Sequence, residues 1–330
     1  MMRAAVCASY GPPEVVTIGE LPAPVLGAGQ ARVRVVAAAI NFPDVLLVAD
    51  RYQMSVPPPF VPGSEFAGVV EAVGDDVIAI SVGDRVFGSA LVGAFAEQIV
   101  VSSGSLTPIP DGVDDRAAAA FGVSHRTAFN VLRSVARLRP REELIVLGAA
   151  GGVGLAAVQL GAILGASVTA VASSSEKLEA ASSQGAKTLI NHRSGDLRRA
   201  LREALPEGAD VVVDPVGGDL AEPALRALRW GGRFVSVGYA SGVIPRIPLN
   251  LVLLKGVQVL GFQFLTFATN AAEELNRNEA ELMELLAAGR VRPYIGKQFT
   301  LDEVVTALRF VADGRAIGKV VVNVSAAMGC

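Results

Sequence analysis

A long stretch without charged side chains constrains the fold of this chain more than any other feature of its sequence. Residues 146–175, VLGAAGGVGLAAVQLGAILGASVTAVASSS, contain no Asp, Glu, Lys or Arg. About 20 apolar residues are enough to cross a bilayer as a helix. Four glycines lie within residues 148–154, however, and each costs about 1 kcal/mol in a helix interior. We therefore expect the chain to turn at these glycines and do not expect a membrane span.

The residues around the glycines predict a strand, a turn, a helix and a second strand. Residues 144–147, LIVL, form a short run rich in β-branching, residues 153–164 have helical length, and residues 167–172 again have the composition of a strand. Strands of a parallel sheet that is covered by helices on both faces are apolar throughout. A βαβ unit therefore accounts for the missing charges.

Length and composition favour two globular domains in the cytoplasm. The chain has 330 residues, of which 51% are hydrophobic, enough for two domains with their own cores. The net charge of −3 and the lack of a long basic run argue against a nucleic-acid partner. Two cysteines, Cys7 and Cys330, exclude a disulfide framework and fit a reducing compartment. The first residues show no signal-peptide pattern.

The pattern of elements changes near residue 114. Before it, short β-rich runs such as residues 32–39 and 65–74 alternate with proline- and glycine-rich turns, which predicts a mostly β domain. After it, helical segments alternate with the strand-like runs KTLIN, DVVVDPV, RFVSVG and VQVLGF, as in a doubly wound parallel sheet. Beyond Thr266, two amphipathic helices precede a strand-like KVVVNV, and chain order does not decide which domain they join.

The glycine turn GAAGGVG, residues 148–154, has the context of a dinucleotide-binding turn. It departs from a strict G-x-G-x-x-G, but it follows a strand and opens a helix within a βαβ unit. Small residues let the backbone approach a pyrophosphate, which the N–H groups of a helix N-terminus bind. The alternative is a turn made tight only for packing.

The residues after the second strand favour NADPH over NADH. An acid for the ribose 2′-OH of NADH is expected about 20 residues beyond the glycines, where the chain has Ala172 and Ser173. The first acid, Glu176, completes a capping box with Ser173. Lys177 and residues 191–193, NHR, offer donors to a 2′-phosphate. The alternatives are that Ser173 only caps the helix and that Lys177 is a solvated lysine.

The sequence offers too few ligands for a zinc dehydrogenase, and we expect no bound metal. A structural zinc site typically takes four cysteines. The two histidines, His125 and His192, lie at no short ligand spacing from a cysteine, and we expect Asp44 and Glu65 to be turn or salt-bridge residues. Without a Lewis acid or a Tyr-x-x-x-Lys pair, hydride donation to an electron-poor acceptor is favoured over alcohol oxidation.

Segments spread along the whole chain resemble a known family. They are INFPDVLL, PPFVPGSEFAGVVEAVGDDV, VGDRVFG, GAAGGVGLAAVQLG, DVVVDPVGGD, GGRFVSVGYASG and IGKVVV. In this order they resemble the zinc-free quinone oxidoreductases, the zeta-crystallin-like branch of the medium-chain dehydrogenase/reductase superfamily. In zinc-dependent relatives a catalytic cysteine stands where this chain has Asn41, and a Gly-His-Glu triplet where it has Gly63-Ser64-Glu65.

The resemblance implies an α/β protein with two domains. A doubly wound parallel-sheet (Rossmann) nucleotide domain, residues 123–266, is inserted into a mostly β GroES-like catalytic domain made of residues 1–122 and 267–330. The resemblance also implies NADPH as cofactor and a homodimer formed by the edge strands of two nucleotide domains. Residues 257–264, VQVLGFQF, have the pattern of a long apolar edge strand suited to such pairing, unless the chain's own helices cover it.

Matching motifs also transfer site residues from the family. Ala150, Gly151, Gly152 and Val153 would hold the pyrophosphate, and Ser173, Lys177 and His192 would surround the adenosine phosphate. Val237, Gly238, Tyr239 and Ala240 match the loop after a sheet strand, and Phe262, Gln263 and Phe264 match the loop near the nicotinamide. Asn41, Tyr52 and Thr127 match positions at the cleft. Asn41 and Tyr52 are the candidate catalytic residues, expected to orient the acceptor or the nicotinamide. The alternative for Tyr52 is a packing aromatic.

The implied activity is the metal-free, NADPH-dependent reduction of a quinone or another conjugated carbonyl. Reduction of an enal or enoyl-thioester double bond uses the same hydride geometry and stays open. The alternative of another class is a non-enzymatic, zeta-crystallin-like structural or RNA-binding protein that NADPH stabilises. The weakly acidic charge balance gives no electrostatic support for RNA binding.

Overall fold

The chain divides into two compact units in a computed structural model that describes residues 1–325. Unit 1 consists of Met1–Val123 and the chain from Arg292 onward, and unit 2 consists of Ser124–Val291. The second boundary thus lies at Arg292, whereas the sequence placed it at residue 267. Cys330, one of the two cysteines considered above, lies outside the described residues.

The strands and helices follow one another in an order that is mostly β first and α/β later. In chain order they are β1 Met2–Cys7, β2 Val16–Leu21, β3 Gln30–Ile40, α1 Phe42–Val48, β4 Glu65–Val73, β5 Arg85–Ser89, β6 Gln98–Ser102, β7 Leu106–Pro108, α2 Asp115–Asn130, β8 Glu143–Leu147, α3 Gly152–Ile163, β9 Ser167–Ala172, α4 Ser175–Ser183, β10 Thr188–Asn191, α5 Leu197–Ala204, β11 Ala209–Asp214, α6 Ala221–Arg226, β12 Leu228–Ser236, α7 Leu249–Lys255, β13 Gln258–Gly261, α8 Phe264–Asn270, α9 Ala272–Ala287, β14 Ile295–Thr300, α10 Val304–Ala312 and β15 Lys319–Asn323. A π-helical turn, Val131–Val135, continues α2.

Unit 1 is built on a mostly antiparallel sheet. Its strands follow the order β14-β15-β3-β4-β5-β7, and β6 pairs with β3 as well. The first half of β3 alternates between buried and partly exposed residues, with Val33 and Val35 in the core. Val304 and Leu308 of α10 belong to the same core. The mostly β, GroES-like domain expected from the sequence is confirmed.

Unit 2 contains a parallel sheet of the Rossmann type. The strand order is β10-β9-β8-β11-β12-β13, which is 3-2-1-4-5-6 in the order of the chain. All four residues of the LIVL run, 144–147, are completely buried in β8, so the uncharged stretch is a strand, turn, helix and strand, as predicted. Among residues 1–325 the structure shows no helix that is both long and apolar enough to span a membrane.

Helix α9 accounts for the position of the second boundary, because buried hydrogen bonds attach it to unit 2. Asn278 Nδ2 donates to Asn130 Oδ1 and to Ser134 Oγ, each at 2.7 Å. Arg126 Nε also donates to Glu279 Oε1 at 2.7 Å. Buried amides need such partners, and these lie in α2 and in the π-helical turn. Of the two amphipathic helices expected beyond Thr266, α9 therefore joins unit 2 and α10 joins unit 1.

The apolar run of residues 257–264 is shorter as a strand than the sequence predicted. β13 ends at Gly261, and α8 begins at Phe264. Gln263 caps this helix, since its Oε1 accepts the N–H of Thr266 at 2.6 Å. The prediction of a long strand was therefore wrong, although β13 does lie at the edge of the sheet.

Candidate functional site

The strand order in unit 2 reverses between β8 and β11, and the loops after these strands are in contact. In open α/β sheets, ligands bind beyond the carboxyl ends of the strands at this reversal. Gly148, the first residue after β8, has φ +57, and a Cβ added to it would lie 2.5 Å from Val216 Cγ2. The two loops therefore pack together with no room for a side chain at residue 148. The reversal is the place in unit 2 where a ligand site is expected.

Two glycines of the turn are required for different reasons. A Cβ on Gly154, within α3, would lie 2.1 Å from the carbonyl oxygen of Gly148, so the helix can pack on the turn only with glycine there. Gly151 has φ −76, and its Cβ would meet no chain atom nearer than Gly148 O at 3.5 Å. The chain itself does not require glycine at residue 151. Glycine is required there if the backbone must approach a ligand closely, so this turn fits a pyrophosphate.

A cationic group lies at the ends of β9 and β10. His192 follows β10, and its N–H donates to the carbonyl oxygen of Ala172, the last residue of β9, at 3.0 Å. Burial lowers the pKa of Lys177, and Arg193 lowers it further, while Glu176 offsets part of the change. Burial also lowers the pKa of His192, as do Arg193 and Lys177. An anion bound here would relieve the repulsion among these cations.

The cap of α4 is Ser174 and not Ser173. Ser174 Oγ accepts the N–H of Lys177 at 3.4 Å, and the helix begins at Ser175. The predicted capping box of Ser173 and Glu176 was therefore wrong, because the helix begins one residue later than that box requires. The side chain of Ser173 is therefore not the cap of α4.

The loops after β12 and β13 lie along the same edge of the sheet. The N–H of Val237 donates to Asp214 O at 2.8 Å, and that of Phe262 donates to Ser236 O at 3.0 Å. The edge thereby brings together most of the site residues predicted in unit 2: Ala150, Gly151, Gly152, Val153, Ser173, Lys177, His192, Val237, Gly238, Tyr239, Ala240, Phe262, Gln263 and Phe264. Thr127 lies within α2, where the neighbouring Arg126 stacks over the Phe264 ring at 5.4 Å.

Asp214, at the end of β11, is a site residue that the sequence reasoning missed. Its Oδ1 accepts the N–H groups of Val216 and Gly217, each at 2.8 Å. Burial raises its pKa, and these two hydrogen bonds lower it in part. Its Oδ2 is buried and has no hydrogen-bond partner among the described residues. Asp214 therefore holds the loop at the strand reversal, and an acid that ends an apolar strand was the available signal.

Unit 1 contains a buried polar cluster around Asn41. Lys319 Nζ donates to Asn41 Oδ1 at 2.5 Å and to Glu65 Oε2 at 2.9 Å. Asn41 Nδ2 donates to Glu65 Oε2 at 3.0 Å and to Ser64 Oγ at 3.3 Å. Glu65 Oε1 accepts the N–H of Val123 at 2.7 Å. Asn41, Glu65 and Lys319 are 7%, 0% and 3% exposed, so this cluster is shielded from water.

The partners of Asn41 decide which way its amide points. An ammonium can only donate and a carboxylate can only accept, so Oδ1 faces Lys319 and Nδ2 faces Glu65. Both hydrogens of Nδ2 are then engaged, by Glu65 and Ser64. The remaining capacity of the side chain is a lone pair on Oδ1. Tyr52, the second candidate catalytic residue, lies half-buried beyond the end of α1.

The cluster does not fit a metal ion. Its oxygen atoms come from an amide, a hydroxyl and a carboxylate, and the ammonium of Lys319 already contacts two of them. Within residues 1–325, no three His, Cys, Asp or Glu side chains form a group that could hold a metal. Glu65 is a salt-bridge residue, and Asp44 Oδ2 accepts the N–H of Asn41 at 2.6 Å at the start of α1. The roles predicted for these two acids are thereby confirmed.

Asp44 should make the stability of the protein depend on pH. Burial raises its pKa to about 6, and Glu65 adds to this effect, while Asn41, Ser64 and Lys319 act in the opposite direction. The native state then keeps a proton between about pH 4 and 6 that the unfolded chain has lost. We expect Asp44 to reduce the free energy of unfolding by about 3 kcal/mol as pH rises through this window.

The test of this pH effect is a comparison with Asp44→Asn, which mimics the protonated acid. Urea unfolding of both proteins from pH 4 to 7.5 gives the difference in unfolding free energy at each pH. The unfolding free energy of the variant, relative to that of the wild type, should increase with pH up to about pH 6 and stay constant above it. A difference that does not vary with pH would contradict the assignment.

Known relatives cover almost the whole chain. Residues 27–111 match the alcohol dehydrogenase GroES-like domain, and residues 152–284 match the zinc-binding dehydrogenase family. Quinone oxidoreductase-like protein 2 of Bos taurus is 37% identical over 323 residues, 97% of this chain and 92% of the relative. Quinone oxidoreductase of Homo sapiens is 30% identical over 97% of both chains. The crystal structure of Escherichia coli quinone oxidoreductase complexed with NADPH has a TM-score of 0.89 at 28% identity, over 98% of this chain and 100% of the other. The chain therefore belongs to the quinone oxidoreductase branch of the medium-chain dehydrogenase/reductase superfamily, a superfamily of oxidoreductases.

Proposed function

We propose that the protein is an NADPH-dependent reductase of quinones or related conjugated carbonyls that works without a metal. The observation that carries the proposal is the edge of the Rossmann sheet, where the open glycine turn and the Lys177–His192–Arg193 group lie at neighbouring strand ends. The glycine turn suits a pyrophosphate, and the cationic group suits a 2′-phosphate. The names of the relatives support the same cofactor and acceptor class.

Each part of the site has a proposed task. Bound NADPH supplies the hydride for an electron-poor acceptor. The backbone of Ala150, Gly151, Gly152 and Val153 binds the pyrophosphate; Ser173, Lys177 and His192 bind the 2′-phosphate; and Val237, Gly238, Tyr239, Ala240, Phe262, Gln263 and Phe264 border the nicotinamide, with Thr127 as a further cofactor residue. Asn41 and Tyr52 remain the proposed groups that orient the nicotinamide or the acceptor.

The two candidate catalytic residues differ in what they can offer. Asn41 has both amide hydrogens engaged and can only accept a hydrogen bond from a ligand. The O–H of Tyr52 can donate. We therefore assign to Tyr52, rather than to Asn41, the hydrogen bond that stabilises negative charge on the acceptor oxygen during reduction.

Oxidation of NADPH in the presence of different acceptors tests the function. The panel contains a quinone, an enone, an enal and an enoyl thioester, each assayed with and without a metal chelator. We expect turnover of the quinone that the chelator does not reduce. Faster turnover of the enal or thioester would favour the double-bond reductase, and loss of activity on chelation would contradict a metal-free reaction. No turnover with any acceptor, together with RNA binding at physiological salt, would favour the non-enzymatic alternative.

Lys177→Ala should weaken NADPH binding about tenfold, because a charge-assisted contact to phosphate contributes about 1.4 kcal/mol. NADH lacks the 2′-phosphate and should bind the variant and the wild type equally. Lys187→Ala is the matched control, since Lys187 is exposed just before β10 begins, at the end of that strand opposite to His192. Calorimetric titration of both cofactors gives the constants. Equal affinity of the wild type for NADH and NADPH would show that the phosphate site is wrongly assigned.

Ala172→Asp tests the same assignment with the opposite charge. A carboxylate at the end of β9 should repel the 2′-phosphate and offer NADH a partner for its ribose. We expect weaker NADPH binding and stronger NADH binding in this variant. In the wild type, NADPH but not NADH should also raise the lowered pKa of His192, which NMR titration of the ring can follow because the chain has only two histidines.

We also propose that the protein forms a homodimer and acts in the cytoplasm. β13 is an edge strand, and unit 2 exposes large apolar side chains at Trp230, Leu249, Leu253 and Leu254. An unpaired edge with apolar side chains in the same unit favours pairing with a second copy. Light scattering at micromolar concentration should give the mass of a dimer, and Leu253→Glu should lower it. A monomeric wild type would contradict the proposal.

A further inference from the structure

The buried pair of Lys319 and Glu65 does more than neutralise two charges. An ion pair needs only the contact between Nζ and Oε2, at 2.9 Å. Both partners also bond to the amide of Asn41, and the shortest bond made by Lys319 is the one to Asn41 Oδ1, at 2.5 Å. Two ends of one amide are thus held by two opposite charges.

This arrangement removes an ambiguity that an isolated asparagine would have. The oxygen and nitrogen ends of an amide are almost equal in size, so packing alone does not distinguish them. Ser64 does not distinguish them either, because a hydroxyl both donates and accepts. A flipped Asn41 would place Nδ2 against the ammonium and Oδ1 against the carboxylate. The charged pair makes that orientation unfavourable.

We propose that Lys319 and Glu65 are positioning residues that hold the Asn41 amide in one orientation, with Oδ1 left to accept an O–H or N–H group of a ligand. The inference rests on the proposed reductase function, in which Asn41 contacts the cofactor or the acceptor. The inference further specifies that the ligand group bound to Asn41 is a hydrogen-bond donor, which a carbonyl oxygen is not.

The test separates positioning from charge neutralisation by removing both charges together. Lys319→Met with Glu65→Gln leaves no unpaired charge and keeps an oxygen at residue 65. We expect this double variant to fold and to bind NADPH, while its kcat/KM with the quinone falls at least tenfold. Lys319→Arg should retain most of the activity, because it keeps a donor cation. Glu14→Gln with Arg309→Met neutralises an exposed pair of unit 1 and should leave kcat/KM unchanged.

A thermodynamic cycle with Asn41→Ala decides whether the effect passes through Asn41. If it does, neutralising the pair in the Asn41→Ala background should lower kcat/KM less than twofold further. A full tenfold loss in that background would overturn the proposal. So would wild-type kcat/KM in the folded double variant.

A readout that needs no activity keeps this inference distinct from the proposed function. The side-chain NH2 of Asn41, assigned by its disappearance in Asn41→Ala, should exchange slowly with water in the wild type and at least tenfold faster in the double variant. It should keep its protection when NADPH and an unreactive quinone analogue are added. Unchanged exchange in the double variant, or lost protection on adding ligand, would overturn the proposal even if the wild type reduces quinones. An inactive wild type with the expected exchange would instead contradict the proposed function alone.

Discussion

Replacing Lys319 with methionine should lower the free energy of unfolding by about 3–5 kcal/mol, the largest effect we expect from a single residue of unit 1. Glu65 is fully buried, and Lys319 provides the cation that contacts it within the described residues. Methionine fills much of the same volume but leaves the carboxylate unpaired in a shielded site. Urea unfolding of the variant and the wild type at pH 7 measures the difference.

Two controls show whether the loss comes from the unpaired charge. The double variant Lys319→Met with Glu65→Gln should recover most of the lost stability, because a neutral pair needs no counter-charge. Arg309→Met breaks an exposed ion pair of the same unit and should change the unfolding free energy much less than Lys319→Met does. If Lys319→Met is no more destabilising than Arg309→Met, the pair contributes little to stability and this expectation is wrong.

The sequence predicted unit 2 well because the signals for that unit are local. The apolar runs, the glycines at fixed offsets and the alternation of elements each lie within about 30 residues, the length of one βαβ unit. The position of Ser173, Lys177 and His192 at one sheet edge follows from the same regularity, since the carboxyl ends of parallel strands share an edge. One error was a shift of one residue where similar residues are adjacent, in the choice between Ser173 and Ser174 as helix cap. The larger difference was the boundary placed at residue 267, because the hydrogen bonds that attach α9 to unit 2 come from residues 148 and 144 positions away.

The cluster around Asn41 could not be predicted from local sequence patterns, because it forms through the register of strands that are distant in the chain. Val320 pairs with Ile40, and Ala39 pairs with Glu65. These two pairings bring Lys319 and Glu65 beside Asn41 from distant parts of the chain. Register depends on how a whole sheet buries one face, and a shift of one residue would reverse which side chains meet. From the sequence, Asn41 was recognised as the residue that replaces a catalytic cysteine of zinc-dependent relatives. The structure shows that its amide is held between two opposite charges.

The two glycines of the nucleotide turn should give opposite results when each is replaced by alanine. Gly154→Ala places a Cβ 2.1 Å from Gly148 O, so the turn and α3 must move apart, and we expect a loss of about 3 kcal/mol in unfolding free energy. Gly151→Ala meets no chain atom nearer than 3.5 Å, so stability should change by less than about 1 kcal/mol. The new methyl group would stand where the pyrophosphate approaches the backbone, and NADPH binding should weaken at least about tenfold, or 1.4 kcal/mol.

The separation of these two effects distinguishes a ligand-binding turn from one that is tight only for packing. Thermal unfolding in the absence of cofactor measures the stability of each variant, and calorimetric titration measures its affinity for NADPH. NADH should lose affinity for Gly151→Ala to the same extent as NADPH, because both cofactors carry the pyrophosphate, whereas Lys177→Ala should affect NADPH alone. Full NADPH affinity in Gly151→Ala would mean that the open space at residue 151 receives no phosphate, and the glycine turn would then be explained by helix packing at Gly154 alone.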